Sequence, residues 1–354
     1  MKDLYHRSIE IIKDHQAPSG AFIASPNFKN YAYSWFRDGA FIAYSMDVAG
    51  EYQSASRFHN WASEVINRYE GVIENSIQII VETGQPPEKD YLHTRYTLDG
   101  IAVDDDWPNY QPDGFGTWLW ALNEHKKISG ATIPLSWEKS AALIIKYLKA
   151  VWSYPCSDSW EEFHDQIHTY TLASIYSGIK AYGELTGQDQ GQILSQILNL
   201  INTRTTHNGH YVKYVGSNLV DANLISLAVP YGLLKLDDPA LEKTINKIET
   251  DLMNGGGVHR YAEDTYFGGG EWILLTAWLG WYWAEKGDID RAQALLVWIE
   301  SQADENGYLP EQVPENLNNP EYFNIWHERW GEIANPLLWS HAKYIILRKN
   351  IARI

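Results

Sequence analysis

Apolar residues recur along this chain at intervals of three and four, and strict alternation is almost absent. The first pattern marks one face of a helix, the second a half-buried strand. The periodicity predicts helices over residues 2–16, 36–49, 51–82, 114–128, 135–152, 161–185, 189–205, 220–234, 238–252, 270–286, 288–303 and 335–352. Gly and Pro clusters punctuate them, as at Gly84-Gln85-Pro86-Pro87 and Asn254-Gly255-Gly256-Gly257. Short links make sequential helices antiparallel neighbours. Twelve helices in six hairpins predict an all-α (α/α)6 barrel whose loops converge at one end on a central pocket. An α-solenoid would need a fixed repeat period, which the sequence does not show. Composition does not shift along the chain and no linker divides it, so one domain over residues 1–354 is expected. The longest non-helical stretches, 83–113, 206–219, 253–269 and 304–334, are rich in aromatic and acidic residues. Loops of such length inside a compact domain usually serve function.

Composition narrows the classes of partner. Hydrophobic residues make up 45% and charged residues 21%, the ordinary balance of a soluble globular protein. A formal net charge of -17 argues against a nucleic-acid or anionic-membrane binder, since phosphate recognition needs clustered Lys and Arg. Cys156 is the one cysteine, so no internal disulfide is expected. Met1-Lys2-Asp3 runs into Tyr5, Ile9, Ile11 and Ile12 without an apolar leader, and the expected location is cytoplasmic. His207 and His210 flank Asn208-Gly209, which reads as a turn rather than a metal site. No metal or organic cofactor is expected.

Five segments carry candidate chemistry. In Tyr31-Ala32-Tyr33-Ser34-Trp35-Phe36-Arg37-Asp38, Arg37 and Asp38 fit either a helix start or a pair of anchors for sugar hydroxyls, with Tyr31 and Trp35 as apolar surface. A planar Arg fork and a carboxylate each offer two contacts in fixed geometry. Next comes Asp104-Asp105-Asp106-Trp107, a solvated acidic loop apart from Trp107, followed by Gln111-Pro112-Asp113-Gly114, where Asp113 is placed to cap a helix. In Asp158-Ser159-Trp160-Glu161-Glu162, Asp158 or Ser159 would cap a helix whose first turn holds both glutamates. The alternative is a general acid: burial of Glu161 beside Trp160, and Glu162 if it approaches, would favour the protonated form. Arg260 to Phe267 leads into Gly268-Gly269-Gly270 and Trp272, a tight loop carrying Arg260 and Tyr266 to a pocket rim. The last segment, Leu309-Pro310-Glu311-Gln312, places a second glutamate in a loop.

Taken in order, these segments resemble glycoside hydrolase family 15, the glucoamylase family. Leu338-Trp339-Ser340-His341-Ala342 completes the match, which spans nearly the whole chain. The resemblance implies an (α/α)6 barrel, with Glu161 as general acid and Glu311 as general base. It implies that Arg37 and Asp38 hold the outermost glucose, and that Tyr31 and Trp35 floor the pocket. Arg260 would lie beside the scissile linkage, with Glu162 and Trp107 toward the leaving group. Trp160, Gln312, Tyr266 and Trp339 would line or support the pocket. Ser159 and Ala262 stand where fungal relatives carry leucine and proline. No starch-binding module is expected beside the barrel, and short, soluble α-linked glucose oligosaccharides are the expected substrates.

The implied reaction is inverting hydrolysis that releases β-glucose from non-reducing ends, α-1,4 or α-1,6. An inverting pair needs its carboxyls roughly 6.5–9.5 Å apart to admit water. A trehalase of the same family and a catalytically silent sugar-binding or regulatory module are the alternatives.

Overall fold

A computed structural model describes residues 3–353. Its helices are α1 (Leu4–Asp14), α2 (Phe36–Ala49), α3 (Tyr52–Arg68), α4 (Glu70–Thr83), α5 (Asp113–Ser129), α6 (Leu135–Val151), α7 (Thr169–Thr186), α8 (Gly191–Arg204), α9 (Pro239–Leu252), α10 (Ile273–Lys286), α11 (Ile289–Ser301), α12 (Phe323–Trp330) and α13 (Leu338–Ala352). Lys2, which begins the first expected helix, and Met1 and Ile354, the ends of the expected domain, lie outside the described residues.

The helices form the (α/α)6 barrel. Its inner ring runs α2, α5, α7, a 3-10 segment (Ala222–Leu227), α10 and α13, which returns to α2. Outside it, α1 packs on α13, α3 on α2, α8 on α7, α9 on the 3-10 segment and α11 on α10. Sequence chemistry sorts the two layers. Inner α10 is buried continuously from Ile273 to Ala284, whereas outer α9 buries only Leu241, Thr244, Ile245, Ile248 and Leu252. A helix enclosed on all sides needs no polar face, while an outer one keeps an apolar stripe. The inner ring closes tightly where α5 meets α7. A Cβ at Gly116 would lie 2.5 Å from the Ser174 carbonyl oxygen, and one at Gly178 2.6 Å from that of Gly116.

Four expected boundaries change. The span 51–82 is two helices parted at Tyr69, whose hydroxyl accepts the Ala102 N–H at 2.8 Å and ties the break to a neighbouring loop. The span 161–185 becomes helical only at Thr169. The span 220–234 shrinks to its 3-10 segment, because Pro230 lacks the N–H that a longer helix would require. The supposed loop 304–334 contains α12. At the other hairpin, Thr206–His207 pairs with His210–Tyr211 across Asn208 and Gly209, both at positive φ, which is the turn that Asn-Gly favours.

Strands of two residues are too short to carry an alternating pattern, yet they set the site. Ser34–Trp35 pairs with Arg95–Tyr96, and Met253–Asn254, Gly257–Val258, Glu271–Trp272 and Gln312–Val313 form a four-stranded antiparallel ribbon. Trp35, Trp272 and Glu311 thereby enter beside the N-terminal ends of inner helices α2 and α10.

Candidate active site

A cavity of about 270 Å³ opens where the N-terminal ends of α2 and α13 meet these strands and loops. That is near the lower end of ligand clefts, roughly 300–1,000 Å³, and suits a small ligand better than a polymer. Tyr31, Trp35, Arg37, Asp38, Trp107, Trp160, Glu161, Glu162, Arg260, Tyr266, Glu311 and Trp339 all line it. Beneath it Trp339 stacks on Phe41, with centroids 5.5 Å apart, so the aromatic core closes the floor.

Glu161 does not begin a helix. Asp158 Oδ1 accepts the N–H groups of Trp160 and Glu162, each at 2.9 Å, and folds 158–162 into a tight turn instead. Lys213 Nζ anchors this turn, pairing with Asp158 at 2.7 Å and Asp221 at 2.6 Å, all three fully buried. Burial alone would raise the Asp158 carboxyl, but the Lys213 ammonium carries it below the usual range. Asp221 Oδ2 also accepts the Trp160 indole N–H at 2.9 Å. Held at both sides, the turn leaves Glu161 at φ 71°, a left-handed conformation uncommon for a residue with a long side chain. Such conformations persist where the surroundings over-determine them, often at functional sites. Glu161 Oε1 then accepts two donors, the Trp35 indole N–H at 2.7 Å and the Gln111 amide at 3.2 Å. Neither donor can take up a proton, so Oε2 is the oxygen left to carry one.

Glu311 is buried to 2% exposure, and its neighbour Gln312 pairs with Trp272 in the ribbon. Its Oε1 accepts the Tyr31 hydroxyl at 2.9 Å, while Oε2 has no protein partner. Burial pushes the carboxyl up to about 8, with Tyr31 and Arg260 acting in the opposite direction.

Arg37 is buried and spans three groups: Asp113 at 3.1 Å, the Gln111 side-chain oxygen at 2.9 Å and Asp38 at 3.6 Å. Asp113 is therefore the first residue of α5 and a buried counter-ion, not the cap expected of it. Asp38 is pushed up to about 7 by burial, against the pull of Arg37. Glu162 turns away from Glu161. It bonds Arg260 at 3.3 Å and the Tyr261 hydroxyl, so its charge is met by an ion pair. Asp264 clamps Arg260 from the other side and accepts the Tyr266 N–H at 2.9 Å. Gln312 supports rather than lines the pocket, its Oε1 accepting the Gly270 N–H at 2.9 Å.

The sequence reading missed one wall altogether. Helix α12 brings Trp326, Arg329 and Trp330 to the cavity, where Trp330 stacks on Trp107 with centroids 6.1 Å apart. Phe323, Trp326, His327 and Trp330 have helical spacing, a signal easily lost in eight residues. Gln111, in a segment already singled out, was not recognised as the link between Arg37 and Glu161.

Buried polar atoms without a partner are rare in folded proteins. Here Glu311 Oε2, Trp107 Nε1 and Trp339 Nε1 are such atoms of pocket-lining residues, while Arg37 Nε and Asp38 Oδ2 have only their 3.6 Å ion pair with each other. Away from the pocket, Asp47, His59 and His125 form a buried group. His125 spends Nδ1 on Asp47 at 2.7 Å and Nε2 on the Ser56 hydroxyl at 3.0 Å, contacts of hydrogen-bonding rather than ligand geometry.

The model of glycosyl hydrolases family 15 matches residues 1–348. An isomaltose glucohydrolase of Kribbella flavida is 38% identical, the match covering 98% of this chain and 92% of that protein. A trehalase of Thermoplasma acidophilum is 25% identical over 85% of this chain and 56% of its own length. A solved glycosidase variant in complex with glucose superposes with a TM-score of 0.95 at 38% identity, covering 99% and 96% of the two chains. A bacterial glucoamylase complexed with acarbose shares the fold, with a TM-score of 0.74 at 20% identity over 99% and 55%. The chain belongs to the glycosyl hydrolases family 15 and is a glycoside hydrolase.

Proposed function

We propose that the protein is an inverting, exo-acting α-glucosidase that releases β-D-glucose from the non-reducing ends of short α-linked glucose oligosaccharides. One observation carries this reading: a single aromatic pocket holds two carboxylates, each with one oxygen held by donors and the other left free. Glu161 Oε2 donates a proton to the glycosidic oxygen as its bond to C1 breaks. Glu311 Oε2 takes a proton from the water whose oxygen bonds to C1 on the opposite face. The sugar departs as the hemiacetal with inverted configuration, and both carboxyls then exchange protons with solvent. Arg37 and Asp38, above a floor closed by Trp339, serve to hold the terminal glucose, which favours exo action. Arg260, Glu162 and Trp107 serve the leaving-group side. The relative named for isomaltose supports an α-1,6 preference among the candidate linkages.

Proton NMR of freshly released glucose tests the stereochemistry, with the β anomer expected first. The α anomer as first product would overturn inversion. Parallel assays of maltose, isomaltose and trehalose test the linkage, and the trehalase reading wins if trehalose alone is cleaved. A second assignment, with the roles of Glu161 and Glu311 exchanged, is favoured by the upward push on Glu311. Glucosyl fluoride separates the two, because its leaving group needs no proton. Under the proposed roles E161Q retains activity on the fluoride and E311Q does not; the reverse outcome would exchange them. A cytoplasmic location and a neutral sugar as ligand, not nucleic acid or membrane, belong to the same proposal and rest on the acidic, single-cysteine composition.

A further inference from the structure

The barrel end opposite the pocket carries a cluster that sugar cleavage does not use. Asp47 on α2, His59 on α3 and His125 on α5 are each buried to 1% exposure or less. One ligating atom from each lies within 4.8 Å of the other two. Asp47 follows Asp38 on the same helix by about 14 Å of axial rise, which separates the cluster from the sugar.

His59 carries most of the information. Neither of its ring nitrogens has a hydrogen-bond partner, although the side chain is fully buried. A neutral imidazole has one N–H and one lone pair, and burying both unmet is costly. The Trp137 ring, 5.4 Å away between centroids, gives its indole N–H to Asn60 at 2.8 Å and does not serve His59. Burial holds His59 well below its ordinary range, in the neutral form that ligates metals. Its ring stands 5.0 Å from that of His125. Asp47 adds another orphan: Oδ1 meets His125 Nδ1 at 2.7 Å, while Oδ2 has no hydrogen-bond partner.

Imidazole nitrogen and carboxylate oxygen are both zinc donors, at about 2.0–2.2 Å. Donors from different side chains then lie roughly 3.4 Å apart, so the cluster needs shifts of about 1 Å. Both Asp47 oxygens with one nitrogen from each histidine make four donors, the number that structural zinc sites use. Coordination at His125 Nδ1 puts that ring's proton on Nε2. There Ser56 Oγ, at 3.0 Å, accepts it, as groups behind metal-bound histidines do. Asp47 also lies in the last turn of α2, where the helix dipole favours a cation.

We propose that Asp47, His59 and His125 form a structural zinc site that pins α2, α3 and α5 together at the far end of the barrel. It requires no assumption about the reaction.

The test is zinc chloride titrated into chelator-dialysed protein, read by calorimetry and by elemental analysis after gel filtration. One ion per chain is expected, with a Tm that rises with zinc concentration. D47N keeps the side chain's shape and an acceptor for His125, and should weaken zinc by about 100-fold or more; S56A should weaken it about 10-fold. H59F replaces the orphan nitrogens with an apolar ring. Without zinc it should melt at or above the wild type, and its Tm should not respond to the metal. Glucose release should be equal in the wild type, with or without zinc, and in D47N. No stoichiometric binding by the wild type would overturn the site. So would one zinc held with equal affinity by D47N, H59F and the wild type, which would place the ion elsewhere, or a wild-type Tm that bound zinc leaves unmoved.

Discussion

The turn that carries Glu161 and the segment that carries Glu311 hold their carboxylates by opposite means. Glu161 is partly exposed on a left-handed turn, and its fixed oxygen rests on an indole and an amide that do not titrate. Glu311 is buried, and its fixed oxygen rests on a phenol. The Glu161 turn is backed by a buried ion-pair cluster, whereas Glu311 is met by the Tyr31 hydroxyl, itself 2.9 Å from that of Tyr266. A half-exposed carboxylate stays in touch with solvent, while one in a dry site discriminates strongly between its two charge states. One pocket thus sets these two carboxylates in unlike surroundings, Glu161 half-exposed on a turn and Glu311 buried.

The sharpest way to break this comparison is to remove each carboxylate. E161Q and E311Q should each lose about 10²–10⁴-fold in kcat on an unactivated disaccharide. Steady-state assays showing either variant near normal would end its assignment. Next, K213M should strike the acid turn alone. It leaves Asp158 and Asp221 buried beside one another without their cation, at a cost of about 3–5 kcal/mol in urea unfolding. Equal stability would mean that the cluster does not support the turn.

W35F isolates the indole donor. Under the proposed role Glu161 becomes charged as it gives up its proton, and a hydrogen bond to a charged group is worth about 1.5–3 kcal/mol, so kcat should fall roughly 10–100-fold with the fold intact. The smallest effect expected is on stability and belongs to the base. With its carboxyl raised from the usual 4.5 to about 8, folded Glu311 keeps a proton that the unfolded chain releases in that window. The folded state therefore binds more protons, and stability falls as pH rises from about 4.5 to 8. E311Q carries no such charge and should melt above the wild type by an advantage growing across that window, of order 1–3 kcal/mol at its upper end. A constant advantage from pH 4 to 8 would contradict the buried-carboxyl account.

Local pattern alone located most of the helices and the barrel they build, because a 3.6-residue period is written into each segment independently. It placed α2 at its observed bounds, residues 36–49, and failed where tertiary contacts overrode it. The Asp158 turn is the clearest case. Capping chemistry in Asp158-Ser159-Trp160-Glu161-Glu162 is indistinguishable from a helix start until Lys213 and Asp221, more than fifty residues on, draw the carboxylate and the indole into one cluster.

The same division holds for the site. The ordered segments nominate Glu161, Glu311, Arg37, Asp38 and Arg260 through their resemblance to the family, since each segment alone also reads as a helix start or a solvated loop. Which oxygen of each carboxylate is held, that Glu162 turns to Arg260, and that α12 closes one wall were decided only by packing between distant segments. The physical reason is range. Helical periodicity and turn chemistry act over a few residues, whereas desolvation, ion pairing and hydrogen-bond chains depend on what the rest of the chain brings alongside.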